Sequence, residues 1–176
     1  MFSKKPNKKI LCIYGSIGLL ICSIPVLLHD TLGKRINEKF LTYFSPKLGF
    51  KISHPSGWDV IVENPNRVIF HSFGNATMRV IVYNASSMTA YDYALKEVNE
   101  LQGFATDVNV TGITVGTRHL PGWSVDYIIP PNHHIIDTIL LANGKQFTIS
   151  YLVIAVNPYE VIKTMQVMLN SFQIVK

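Results

Sequence analysis

One short stretch of the chain sets metal-binding side chains close together. In "PPNHHIID", His133 and His134 are adjacent and Asp137 follows shortly after. Imidazole and carboxylate groups are ordinary ligands for zinc, which takes three or four of them at about 2 Å. In an extended stretch, successive side chains point to opposite sides, so His133 shares a side with Asp137 and His134 faces away. A loop-borne histidine pair is the plainer reading, and no metal or other cofactor is expected. His54 falls in step with Phe50 and Ile52 on one face of a predicted strand, which suits a satisfied structural histidine.

Other chemistries lack their residues. No H-E-x-x-H, G-x-S-x-G, phosphate-loop or G-x-G-x-x-G pattern occurs. The two cysteines, Cys12 and Cys22, both lie in one apolar run, so residues 30–176 offer no disulfide, thiol nucleophile or cysteine metal site. No catalytic residue is expected, and the chain reads as non-enzymatic. Three N-x-[ST] triplets, at Asn75, Asn84 and Asn109, are candidate glycosylation sites near predicted turns or strand ends.

The elements that would position these residues begin at the N-terminus. Ile10 to Leu28, "ILCIYGSIGLLICSIPVLL", is 19 residues without a charge. As a helix it spans roughly 28 Å, close to a bilayer's ~30 Å hydrocarbon core. The run is too long for the apolar part of a cleaved signal peptide, and no A-x-A-like site follows it, so it reads as a retained signal anchor. Lys4, Lys5, Lys8 and Lys9 precede it, which puts the N-terminus in the cytoplasm and the rest outside. These lysines also carry most of the net charge of +5; residues 30–176 hold 12 basic and 11 acidic groups. A nearly neutral outer portion excludes an electrostatic footprint for nucleic acid. On the apolar helix, Cys12, Gly15, Ser16, Gly18, Cys22 and Ser23 fall within one arc at 100° per residue. Small residues let helices approach closely in lipid, so this face is a candidate packing surface for another membrane subunit.

The expected organisation is a basic tail over 1–9, a transmembrane helix over 10–28, a polar connector over 29–43 and a domain over 44–176. Within that domain, "HPSG" predicts a hairpin turn with Pro55 at its second position, returning through Trp58, Val60 and Val62. Strands are predicted over 67–73, 76–84, 108–115, 122–129, 134–142 and 145–155, with Gly74-Asn75 and Asn143-Gly144 as hairpin turns. Thr89 and Asp92 make a capping box for a helix carrying Tyr91, Ala94, Leu95, Val98 and Leu101 at helical spacing. A last helix opens at Asn157-Pro158 with Glu160 in its first turn. Ile162, Met165, Leu169 and Phe172 form its stripe. Hairpin-joined strands with two amphipathic helices predict an α+β fold: a central antiparallel sheet flanked by helices.

Two segments carry a family resemblance. "YFSPKLGFKISHPSGWDV" and "GKQFTISYLVIAVNPYEVIKTMQVMLNSFQI" resemble the opening and closing signatures of the PsbP-like domain family, over about residues 43–175. The resemblance implies an α/β/α sandwich. The best-known members are extrinsic subunits that stabilise photosystem II, and many relatives occur outside photosynthesis. The shared positions are turn and core positions and bring no catalytic residue. The expected function is therefore a membrane-anchored accessory subunit of a membrane protein complex, its domain extracytoplasmic. The alternative is an anchored domain that binds a small ligand or metal.

Overall fold

The computed structural model describes residues 39–72, 76–154 and 158–175. Among them, two sheets and two helices run in the order β1 (Phe40–Ser45), β2 (Phe50–Pro55), β3 (Asp59–Asn64), β4 (Arg67–Ser72), β5 (Ala76–Asn84), α1 (Ala90–Leu101), β6 (Thr106–Val115), β7 (Leu120–Ile129), β8 (His133–Ala142), β9 (Lys145–Val153), α2 (Pro158–Ser171) and β10 (Gln173–Ile174). The larger sheet has the strand order β3-β4-β5-β9-β8-β7-β6, and the smaller one β1-β2-β10. All pairings are antiparallel. No helix among the described residues is long and apolar enough to cross a membrane; the run 10–28 lies outside them.

Local chemistry accounts for the best-defined joints. Asn143 and Gly144 have φ of 52° and 71°, the paired left-handed geometry of a two-residue hairpin, and they join the central strands β8 and β9. Thr89 N–H donates to Asp92 Oδ2 at 2.8 Å while Asp92 N–H donates to Thr89 Oγ1 at 3.2 Å, closing the capping box of α1. The cap expected at Asn157 and the turn at Gly74-Asn75 lie outside the described residues.

The opening turn is placed differently from its prediction. Trp58 N–H donates to Pro55 O at 3.1 Å, so Pro55 occupies the first turn position and not the second. The strands on either side do not pair: β2 joins β1 and β10, whereas β3 joins β4. The turn is a corner between two packed sheets. The reason is the company β2 keeps. β1 starts at Phe40, inside the stretch read as connector, and supplies a partner that the sequence pattern did not display. β3 is then an outer strand with a register shift after Val62, and Val62 is 62% exposed instead of lying on a buried face.

Each face of the larger sheet has its own core. On one side, Phe70, Met78, Val80, Phe147 and Ile149 pack with Met165, Met168 and Phe172 and with Phe50 and Ile52 of the smaller sheet. Trp58 covers this core from the corner, partly buried. On the other side, Val125, Tyr127 and Ile139 pack beneath Ala94 and Leu101 of α1. His54 is buried against the Phe70 ring, 5.4 Å between centroids, and its Nδ1 donates to Pro55 O at 2.9 Å. It is a structural histidine.

Gly116, in the β6–β7 turn, lets that turn lie directly against the backbone of Phe172. Its φ is +73°, and a Cβ there would run into the Phe172 carbonyl oxygen. Gly144 has a similar φ of +71° but open space around it. Gly144→Ala is therefore expected to cost about 1 kcal/mol from backbone conformation alone. Gly116→Ala, which adds a backbone clash, is expected to cost at least about 3 kcal/mol. Urea unfolding of the two variants measures the difference; equal losses would contradict the contact.

Candidate functional site

The α1 side of the sheet carries a row of polar residues set by strand register. Arg79 of β5 stands opposite Ser150 of β9, and Ser150 stands opposite Asp137 of β8. Antiparallel register places directly opposed side chains on one face, so the three form a line across the sheet. Tyr127 of β7 donates its hydroxyl to Asp137 Oδ2 at 2.7 Å. Asp137 is 4% exposed, and its Oδ1 has no close hydrogen-bond partner among the described residues.

Helix α1 roofs this row incompletely. A cavity of about 420 Å³ opens between them, lined among others by Tyr93, Lys96 and Glu97 from the helix and Asp137, Gln146 and Ser150 from the sheet. Glu97 is pushed up to about 7, first by burial and then by the charges of Asp137 and Glu100, with Lys96 pulling the other way. Burial raises Asp137 as well; the Ser150 and Tyr127 hydroxyls and Arg79 pull it back down. Burial, followed by the Asp137 charge, raises the Tyr127 hydroxyl. Two carboxyls forced to share a partly dry cleft hold their protons more tightly than free carboxyls do, or accept a cation in their place.

The three residues singled out as metal candidates do not converge. Asp137 is in the cleft just described. His133 shares its face but lies four residues along an extended strand, roughly 13 Å away. His134 is on the opposite face, where its Nε2 meets Asp126 Oδ1 at 2.6 Å. Among the described residues no group of three or more His, Cys, Asp or Glu could hold a metal ion. Asn84 ends β5, exposed; Asn109 is exposed on β6, its amide donating to Thr111 Oγ1 at 3.3 Å. Asn75 and the small-residue face of Cys12, Gly15, Ser16, Gly18, Cys22 and Ser23 lie outside the described residues. Sequence reasoning missed Glu97 and Tyr127. The available signal was Asp137 itself, a lone carboxylate inside the otherwise apolar "HIIDTILLA".

No family model matches the chain, and no curated protein does. Solved structures do. Cyanobacterial PsbP (CyanoP) from Synechocystis matches with a TM-score of 0.58 at 19% identity, over 78% of this chain and 93% of that one. LpqN of Mycobacterium tuberculosis, described as involved in cell envelope biogenesis, matches at 0.55 and 10% identity, over 80% and 92%. A Bacteroides thetaiotaomicron protein matches at 0.53 and 13% identity over 77% of this chain; this chain spans 48% of that protein's length. At such identities the likeness is one of fold. The domain has a PsbP-like α+β fold.

Glu97 has a measurable consequence. Between its ordinary value of 4.5 and about 7, the folded protein keeps a proton that the unfolded chain has released. Stability therefore falls as pH rises through that window. Glu97→Gln is expected to flatten this slope and to stabilise the protein at pH 8 by about 1–2 kcal/mol, the full shift being discounted for solvent access. Denaturant unfolding from pH 5 to pH 8 checks it; an unchanged slope would refute the buried-carboxylate account.

Proposed function

We propose that the chain is a membrane-tethered accessory subunit, non-enzymatic, that presents its PsbP-like domain outside the cytoplasm to a membrane-embedded partner. The observation that carries this reading is the outer strand β1. Among the described residues it is an edge of its sheet, and Phe40, Leu41 and Phe44 on it are exposed, Phe44 by 56%. An outer strand has one row of backbone N–H and C=O groups without a neighbouring strand, and natural proteins normally blunt such edges. An extended segment of a partner can add to that row while its apolar side chains meet the two phenylalanines.

The position of the edge in the chain supports the same partner. Eleven residues separate Phe40 from the end of the uncharged run at Leu28. A tether that short keeps β1 within reach of whatever subunit the membrane helix accompanies, and the small-residue face read on that helix suits such a companion. The occupant of the edge is thus an extended segment of a transmembrane subunit. The PsbP-like fold and the neighbour from cell-envelope biogenesis are in keeping with this role.

A second reading, an anchored domain binding a cationic small molecule, draws on one specific observation. Asp137 lines the α1 cleft with Glu97, and its buried Oδ1 has no close hydrogen-bond partner among the described residues. An ammonium or guanidinium group there would satisfy that oxygen and allow both carboxyls to ionise.

The test is extraction in mild detergent, followed by sizing of the intact complex and identification of its subunits. The expected result is a fixed-ratio complex with a transmembrane subunit. Phe40→Asp with Phe44→Asp should release that subunit while the variant stays folded and membrane-bound. A chain that runs alone, or a complex indifferent to the double variant, would overturn the proposal.

A further inference from the structure

The face of the large sheet opposite α1 holds a second cavity, of about 260 Å³, between α2 and strands β6 to β9. Its lining has a definite chemistry. Ile113, Ile136, Ile162, Met165 and Leu169 supply apolar walls. Thr138 and Tyr151 line it as well, 1% and 4% exposed, and neither hydroxyl has a hydrogen-bond partner among the described residues. Burial raises the Tyr151 hydroxyl well above its ordinary value, so it is a neutral O–H donor at any physiological pH. The side chains of Thr111, Ser124 and Asn109 lie toward the exposed edge strand β6.

Register makes this grouping a consequence of the fold. Thr138 stands opposite Ser124, which stands opposite Thr111, while Ile136 stands opposite both Asp126 and Tyr151 in the two neighbouring strands. The polar groups thus occupy neighbouring rows of one face, which α2 overhangs with Ile162, Met165 and Leu169. A core position that needs only volume is filled at less cost by Phe or Val, because an unmade buried hydrogen bond is a penalty. Two such hydroxyls lining one cavity mark a place where an acceptor is supplied from outside.

We propose that this cavity binds a small uncharged molecule with an apolar body and a carbonyl-type oxygen, the oxygen taking hydrogen bonds from Tyr151 and Thr138. Charge sets the class. Among the described residues that line the cavity Asp126 alone is charged, and His134 engages it at 2.6 Å. An anion would find no cation among the described lining residues, and an ammonium, which can only donate to the two hydroxyl oxygens, would leave both O–H groups without an acceptor. Size restricts the ligand further, since pockets for drug-sized molecules run from roughly 300 to 1,000 Å³. A bicyclic ketone is of the right order. This site is separate from β1 and from the α1 cleft, and it does not rest on the accessory-subunit reading.

The test uses the full chain in lipid nanodiscs, with empty discs as the blank, and fluorine NMR of two neutral probes. One is a fluorinated tetralone and the other the matching tetralin, which lacks the carbonyl. The tetralone is expected to bind saturably and the tetralin at least about tenfold more weakly, the loss of one to two neutral hydrogen bonds. Tyr151→Phe should weaken the tetralone by about tenfold and leave the tetralin unchanged, because only the hydroxyl is removed. Thr111→Trp, at an exposed position beside the cavity, should weaken both. The melting temperature of Tyr151→Phe should equal or exceed that of the parent, which shows that the loss is not one of folding. No saturable binding above the blank would overturn the site. Tetralone binding indifferent to Tyr151→Phe would overturn it too, since the hydroxyl would then be serving bound water only.

Discussion

Phe172 is the residue on which the rest of the architecture closes. Its ring stacks on Phe50 of β2 at 5.5 Å and meets Phe147 of β9 edge-on at 5.7 Å. Tyr43 extends the cluster from Phe50 to Phe70 of β4. One ring therefore touches both sheets, and the carbonyl of the same residue lies against Gly116 of the β6–β7 turn. Its neighbours add directional bonds: Ser171 Oγ accepts the Ser53 N–H at 2.8 Å, and Ile174 pairs with Phe50. Burying such a ring stabilises by about 2–3 kcal/mol, and each aromatic pair adds about 0.5–1.5 kcal/mol. Hydrophobic area holds the sheets together; the bonds around Phe172 set their register.

The same closure explains where the cavities lie. A seven-stranded sheet has two faces, and among the described residues two helices and a small sheet cover them. The smaller sheet and α2 dock over β4, β5 and β9 through Phe50 and Phe172, so α2 overhangs the β6–β8 end of that face. On the reverse face α1 sits over β7 and β8 and leaves the β5–β9 margin open. Polar residues occur at both margins, where the helices do not pack directly onto the strands. Asp137 and Thr138 are adjacent in sequence and, by strand alternation, line the two cavities from opposite sides of one strand.

Much of the fold was legible wherever local chemistry decides it. Asn143-Gly144 and Thr89-Asp92 specify a hairpin and a helix start through their own backbone and side-chain bonds. The two segments that suggested a PsbP-like domain meet in space, since β2 and β10 pair and Val175 N–H donates to Gly49 O. What could not be read was long-range. The turn at Pro55–Trp58 has the chemistry of a hairpin, and only the presence of β1 and β10 beside β2 makes it a corner between sheets. β10 has two residues, too few to show any periodicity. The sites were less legible still. Asp137 drew attention as a metal candidate, but Tyr127, Ser150 and Glu97 join it through strand register and helix docking. Tyr151 and Thr138 look like ordinary strand residues until the structure shows that neither hydroxyl finds a partner among the described residues.

The most direct test of this architecture is hydrogen exchange of Phe172→Ala in the full-length protein, residue by residue. If Phe172 ties the two sheets and α2 into one cooperative unit, the substitution costs about 3–5 kcal/mol. The amides of β2, β4, β5 and β9 should then lose protection by the same amount as those of α2. Loss confined to residues 158–175, with the central strands still protected to the original degree, would show that the larger sheet stands without this closure and would contradict the account.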